Sequence, residues 1–244
     1  MPRSAPPTRR ARGVLSGAGT FYRGRMPEPQ TRRLPRGRHA LAREEVRRIQ
    51  RARLCRAMAE VMAEKGYVDT SVADVLQRAT VSRQSFYELF DSKLDCFMAA
   101  FAGAGELLLE RLAADVGVAR GAAAGGTPAD RLALCERAIG AYLRALAAEL
   151  PYARLFLVEV YAAGPEAIDR RARTQEIIAG ALADLVGAED ESVRFACRTI
   201  VAATSAMVTP PVAEQDADAL LALGPPLIEH VRMLWSAGVL AADE

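Results

Sequence analysis

Apolar residues along this chain recur at three- and four-residue steps instead of alternating, which is the period of helices. In the first ordered stretch Val46, Ile49, Leu54, Met58, Val61 and Met62 fall on one stripe, predicting a helix from about Arg43 to Lys65 with Gly66 as its C-cap. Thr70 or Ser71 opens a second helix, Ser71 and Asp74 fit a capping box, and Val72, Val75, Leu76 and Ala79 form the inward face. After a turn at Thr80 and Val81, Ser82 caps a short third helix with Phe86, Leu89 and Phe90 inward. Asp91 or Ser92 caps a longer helix that Leu94, Phe97, Met98, Phe101, Leu108 and Leu112 carry towards residue 115.

The second half repeats the helical pattern with proline and glycine as punctuation. Gly121 to Gly126 separates elements, and it is no phosphate loop because no Lys-Ser/Thr pair follows. Thr127-Pro128 opens a helix to about 149, Pro151 one to about Ala163, and Pro165 one to about Val186. Asp190 begins a helix to about Met207 that Pro210-Pro211 should stop, and residues 216–237 are helical with a division at Gly224-Pro225-Pro226. The fold class is all-α, with aromatics at only 6%.

Charge divides the chain differently. Residues 1–42 hold ten Arg and a single acid, Glu28, whereas residues 96–244 hold twelve Arg against twenty acids. Rich in Pro, Gly and Ser without hydrophobic period, residues 1–40 are expected to be a disordered basic arm suited to a polyanion. Cys55, Cys96, Cys135 and Cys197 lie far apart in apolar helical contexts and read as reduced, buried thiols of a cytoplasmic protein, without a metal site. The longest charge-free stretch of the body, Thr199 to Ala213, falls short of the ~20 apolar residues of a membrane span.

Three short helices, the second and third joined by a tight turn, make a helix-turn-helix over residues 41–95. Such a unit lays its third helix in the DNA major groove, with the N-terminal residues on base edges. Those residues are Ser82, Arg83, Gln84 and Ser85: Arg83 can fork to guanine and Gln84 can pair with adenine. Tyr87, one turn after Arg83, suits a phosphate, and Lys93 adds a charge beside the next helix N-terminus.

Residues 43–101, with "AEKGYVDTSVADV" and "ATVSRQSFYELFDSK", closely resemble the DNA-binding region of tetracycline-repressor-type (TetR family) regulators. The resemblance implies that Thr70, Tyr87 and Lys93 grip phosphates, that Arg83, Gln84 and Ser85 read bases, and that the C-terminal half forms dimer and effector pocket. This family usually has glycine where Thr80 stands. Because a β-branched residue at positive φ is strained, we expect Thr80 in a negative-φ turn of slightly altered geometry, with local strain as the alternative.

A single small unit contacts few base pairs, so residues 96–244 are expected to dimerise as well as to bind effector. Val193, Ala196, Cys197, Ile200, Val201, Thr204 and Met207 form one candidate interface stripe; Leu227, Ile228, Val231, Leu234 and Trp235 form another. Tyr152, Phe156, Glu159 and Tyr161 are candidates for an apolar effector pocket, Glu159 placing a carboxylate within an apolar run. With only His39 and His230, and no nucleophile elbow or metal-ligand spacing, catalytic residues, cofactors and metals are not expected. The expected protein is a homodimeric regulator that binds double-stranded DNA at a palindrome, most often as a repressor, and releases it on binding a small apolar molecule. Two alternatives are a ligand-independent DNA-binding protein and a helical interaction module whose basic arm binds nucleic acid.

Overall fold

The computed structural model describes residues 43–122 and 127–240; the arm expected over 1–40 and most of the Gly121–Gly126 punctuation lie outside the described residues. Among the described residues there are helices and no strands. The N-terminal group is α1 (Arg43–Asp69), α2 (Val72–Ala79) and α3 (Arg83–Tyr87), followed by the long α4 (Lys93–Ala122). Gly66 interrupts α1 with φ 78° and ψ 168°, a conformation that favours glycine, and the chain makes one further turn to Asp69. Ser71, not Thr70, caps α2, and the capping box with Asp74 is complete. Lys65, 2.8 Å away, and the bonds from Ser71 hold the Asp74 carboxyl well below the ordinary carboxylate range.

Thr80 departs from expectation. It ends α2 at φ 56°, ψ 44°, in the left-handed region that the sequence reading assigned to strain. The geometry is what the tight turn demands: the Thr80 N–H caps the Leu76 carbonyl and the Val81 N–H also returns to Leu76. The chain must reverse there to seat Phe86 and Phe90, which are fully buried beside Leu54, Met58 and Val75. Burial of these side chains, each worth about 1.5–3 kcal/mol, outweighs one unfavourable residue.

In the C-terminal part, α5 (Pro128–Ala148) begins with a Thr127–Asp130 capping box. It is followed by α6 (Leu150–Arg154), a π-turn at Leu155–Glu159, α7 (Val160–Ala163) and α8 (Pro165–Val186). The chain closes with α9 (Glu191–Ala213), α10 (Ala217–Ala222) and α11 (Gly224–Ser236). Three details differ from the sequence reading. Leu94 lies on the exposed side of α4, and α4 runs past residue 115 because no proline intervenes. Helix α9 passes through Pro210 and Pro211, since Ala206 and Met207, the residues whose carbonyls lose partners, are exposed to water.

A ladder of charges ties these elements together. Arg78 of α2 meets Glu64 at 2.6 Å and Glu60 at 3.4 Å; Glu60 also meets Arg56 at 2.9 Å. Arg56 lies 3.7 Å from Glu149, the residue between α5 and α6, and Arg111 of α4 approaches the same carboxylate at 3.2 Å.

Candidate nucleic-acid interface and an apolar cavity

The third helix is seated from within. Phe86 packs against Phe90 at 5.6 Å and edge-on to Tyr87 at 5.3 Å, while the Arg51 guanidinium covers the Phe90 ring at 4.7 Å. With the inner face fixed, Ser82, Arg83, Gln84 and Tyr87 are left exposed, as the sequence predicts. Ser82 accepts the Ser85 N–H at 3.0 Å and its hydroxyl meets the Ser85 hydroxyl at 2.9 Å, so both serines act first as the helix cap. Arg83 lies over the Tyr87 ring at 5.9 Å. Gln84 donates to Glu88 at 3.0 Å; the acid one turn on, which sequence reasoning passed over, holds the amide in place.

Two residues expected on phosphates are engaged within the protein. Thr70 is 2% exposed and its hydroxyl donates to the Gly66 carbonyl at 2.6 Å, because the chain must be pinned where α1 kinks. Lys93 donates to the Tyr67 and Thr70 carbonyls at 2.8 and 2.9 Å and lies 4.2 Å over the Tyr67 ring. Two of its three donors are thus spent on the α1–α2 connection.

Between α4, α5, the π-turn, α8 and α9 lies a cavity of about 440 Å3, within the usual range for small-molecule pockets. Its far end, towards Gly117 and Leu185, is apolar. Its near end, towards Phe156, carries Tyr142, Gln175, Thr204 and Ser205, and among the described residues no formally charged side chain lines it. Burial pushes the Tyr142 hydroxyl up to about 12, so it remains protonated near neutral pH.

Of the four residues expected in a pocket, only Phe156 lines this cavity, stacked on Phe101 at 4.9 Å. Tyr152 is buried beside a separate hollow of about 20 Å3, and Tyr161 is exposed beneath the Arg171 guanidinium at 5.4 Å. Glu159 points away from the cavity: it accepts the Tyr67 N–H at 2.8 Å and Arg154 Nε at 3.0 Å. In an α-helix Phe156 and Glu159 would share a face. The π-turn widens the helix and separates them, which the sequence period does not reveal. Arg154 also donates to the Ala213 carbonyl, and Gln215 donates to the Ala63 carbonyl at 3.1 Å, a second grip on the end of α1.

Apart from the exposed Met207, the expected dimer stripes lie mostly inward. Ile200, Val201 and Thr204 line the cavity, Val193, Cys197, Val231, Leu234 and Trp235 pack in a small cluster around Cys135, and Leu227 joins the main core. The outward face of α9 is the neighbouring one, where Phe195, Ala202, Ala203 and Met207 are exposed. No helix of the described residues is long and apolar enough to cross a membrane.

Residues 54–100 match the family model described as bacterial regulatory proteins, tetR family. Comparison with curated protein sequences gives no match. Among solved structures, a regulator of the TerR/AcrR family from Aquifex aeolicus aligns with TM-score 0.59 at 18% identity, over 76% of this chain and 99% of that one. The fatty acid degradation regulator FadR from Bacillus halodurans aligns at 0.58 and 20%, over 75% and 94%. FadR from Bacillus subtilis, in complex with stearoyl-CoA, aligns at 0.58 and 21%, over 73% and 96%. At these identities the likeness is one of fold, an N-terminal helix-turn-helix followed by a helical C-terminal domain. The family match falls on the helices that carry Arg83, Gln84 and Tyr87, so residues 54–100 form a helix-turn-helix of the kind found in the tetR family of bacterial regulatory proteins.

Proposed function

We propose that this protein is a cytoplasmic, non-enzymatic repressor that binds a palindromic operator as a homodimer and is released from it by a small, largely apolar molecule. Residues 41–95 hold the DNA, with Arg83 and Gln84 on bases and Tyr87 and the third Lys93 donor on phosphates. Residues 96–244 hold the effector and the second subunit, the latter against the exposed face of α9 around Phe195, Ala203 and Met207. An arm over residues 1–40 adds non-specific attraction for the duplex.

The observation that carries the reading is the π-turn. One end, Phe156, lines the cavity; the other, Glu159, holds the Tyr67 N–H at the end of α1. An effector that shifts Phe156 favours a different setting of Glu159, and so a different spacing of the two recognition helices. An acyl chain suits the apolar lining, and FadR from Bacillus subtilis, a protein of similar fold, is in complex with stearoyl-CoA.

Selection of bound duplexes from a random pool, followed by footprinting, tests it. Two symmetric half-sites about one helical turn, ~10 bp, apart are expected, with protection lost when apolar molecules are added. Uniform coating of DNA without sequence preference defeats the proposal.

A further inference from the structure

Behind the near end of the cavity lies an unbalanced charge. Arg171 of α8 is half-buried, and among the described residues no carboxylate lies within ion-pair distance of it. Its partners are the Ser205 hydroxyl, to which Nη2 donates at 2.8 Å, and the face of Tyr161. Its Nε is fully buried and donates to nothing. A buried guanidinium normally acquires an anion or a full set of acceptors, because an unmet N–H in low dielectric is costly.

Ser205 stands between this charge and the cavity. Since its oxygen accepts from Arg171, its own proton is free to point at whatever fills the near end. Tyr142 and Thr204 bring further hydroxyls, Gln175 brings an amide, and among the described residues no acid lines the cavity. The near end is therefore rich in donors and electropositive from behind, while the far end is hydrocarbon-like. At ~30 Å3 for a water-sized group, the volume admits roughly fifteen non-hydrogen atoms.

We propose that the effector is an amphipathic monocarboxylic acid: its carboxylate sits on Ser205 and Tyr142, drawing in Arg171, and its apolar tail runs between α4 and α8 towards Leu185. This deepens the effector reading above and rests on it. An acid of this kind supplies the missing anion, whereas an alcohol satisfies the hydroxyls alone and an amine meets charge of its own sign. Phe156 marks the near end as the one facing the DNA-binding helices, since its ring stacks on Phe101, which meets Phe97, which meets Tyr67 of α1.

Dodecanoic acid, dodecanol and dodecylamine, titrated into the full chain at neutral pH, are the probes. The sole tryptophan, Trp235, packs in a cluster shared with cavity-lining Leu182, Leu185 and Ile200, and its fluorescence reads occupancy. The acid is expected to bind about tenfold or more tightly than the alcohol, and the amine weakest. Arg171→Gln should bring the acid down to the alcohol's affinity while leaving the alcohol unchanged, and Ser205→Ala, which removes a hydroxyl both probes meet, should weaken the acid several-fold more than the alcohol; Ser205→Ala decides if Arg171→Gln does not fold. Equal binding of all three probes, no binding of the acid, or equal weakening of acid and alcohol in the variants overturns the proposal. Operator binding measured on the same samples separates the two readings. Release by alcohol as readily as by acid leaves the regulator intact and removes the carboxylate, whereas a chain that ignores every duplex removes the regulator and leaves the titration standing.

Discussion

The Glu159 carboxylate accepts the backbone N–H of Tyr67 at 2.8 Å across 92 residues of sequence. Tyr67 follows the Gly66 kink, where a helical partner for its N–H is lost, so a side chain from the other half of the protein completes the end of α1. Glu159 is itself held by Arg154, with the side chains of both partners largely buried. Glu159→Gln should therefore lower stability by about 1–3 kcal/mol in urea unfolding. If the contact carries the signal, it should also cut the effector's influence on operator affinity about tenfold, a size ordinary for coupled sites. Unchanged coupling in a folded variant would assign Glu159 to stability alone.

Thr80 occupies left-handed backbone with its side chain exposed. Replacing it by glycine removes a steric cost of ~1–2 kcal/mol, partly offset by the greater freedom of an unfolded glycine. Thr80→Gly should raise the unfolding midpoint, with a net gain of about 1 kcal/mol or less. A lower midpoint would show that the threonine side chain makes a compensating contribution.

Arg83→Ala should relax preference at one base position of the operator, by about 1–3 kcal/mol. Tyr87→Phe should weaken all duplexes alike, because a phosphate contact carries no sequence. Competition binding against single-base operator variants separates the two, and a base-selective effect of Tyr87→Phe would contradict its assigned place.

Burial pushes the thiols of Cys55 and Cys135 up to about 12 and that of Cys197 to about 11, and raises Cys96 further. In the unfolded chain a thiol titrates near 8.5. Above that pH the unfolded state loses protons that the folded state keeps, so the thiols' contribution to stability is complete below about 8.5 and falls between there and about 11, by up to ~1.4 kcal/mol per pH unit for each thiol. Urea unfolding at pH 7.5 and pH 10 should show this decline, and replacing Cys135 and Cys197 by alanine should make it shallower. A pH-independent midpoint would mean that the thiols are hydrated.

Much of the helical plan was legible. Periodicity, the Ser71 and Thr127 capping boxes and prolines at helix starts are local signals, and each acts within a few residues. The exposed Arg83, Gln84 and Tyr87 were legible for the same reason, since Phe86 and Phe90 fix the opposite face. What escaped depends on distant partners. A π-turn leaves no mark in composition, so Glu159 was placed with Phe156; Thr70 and Lys93 look like surface residues until the Gly66 kink is seen. Inward and outward faces of α9 are both populated by small and apolar residues, so Ile200 and Met207 could not be separated by type.

The run of alternating Glu and Arg from Arg78 through Glu60, Arg56 and Glu149 to Arg111 bears on how binding measurements are interpreted. These groups are only partly shielded from solvent, so added electrolyte weakens their attraction. Raising ionic strength then loosens the seating of the helix-turn-helix while it displaces protein from phosphates. The slope of log affinity against log salt concentration will consequently overstate the number of counterions that leave the duplex.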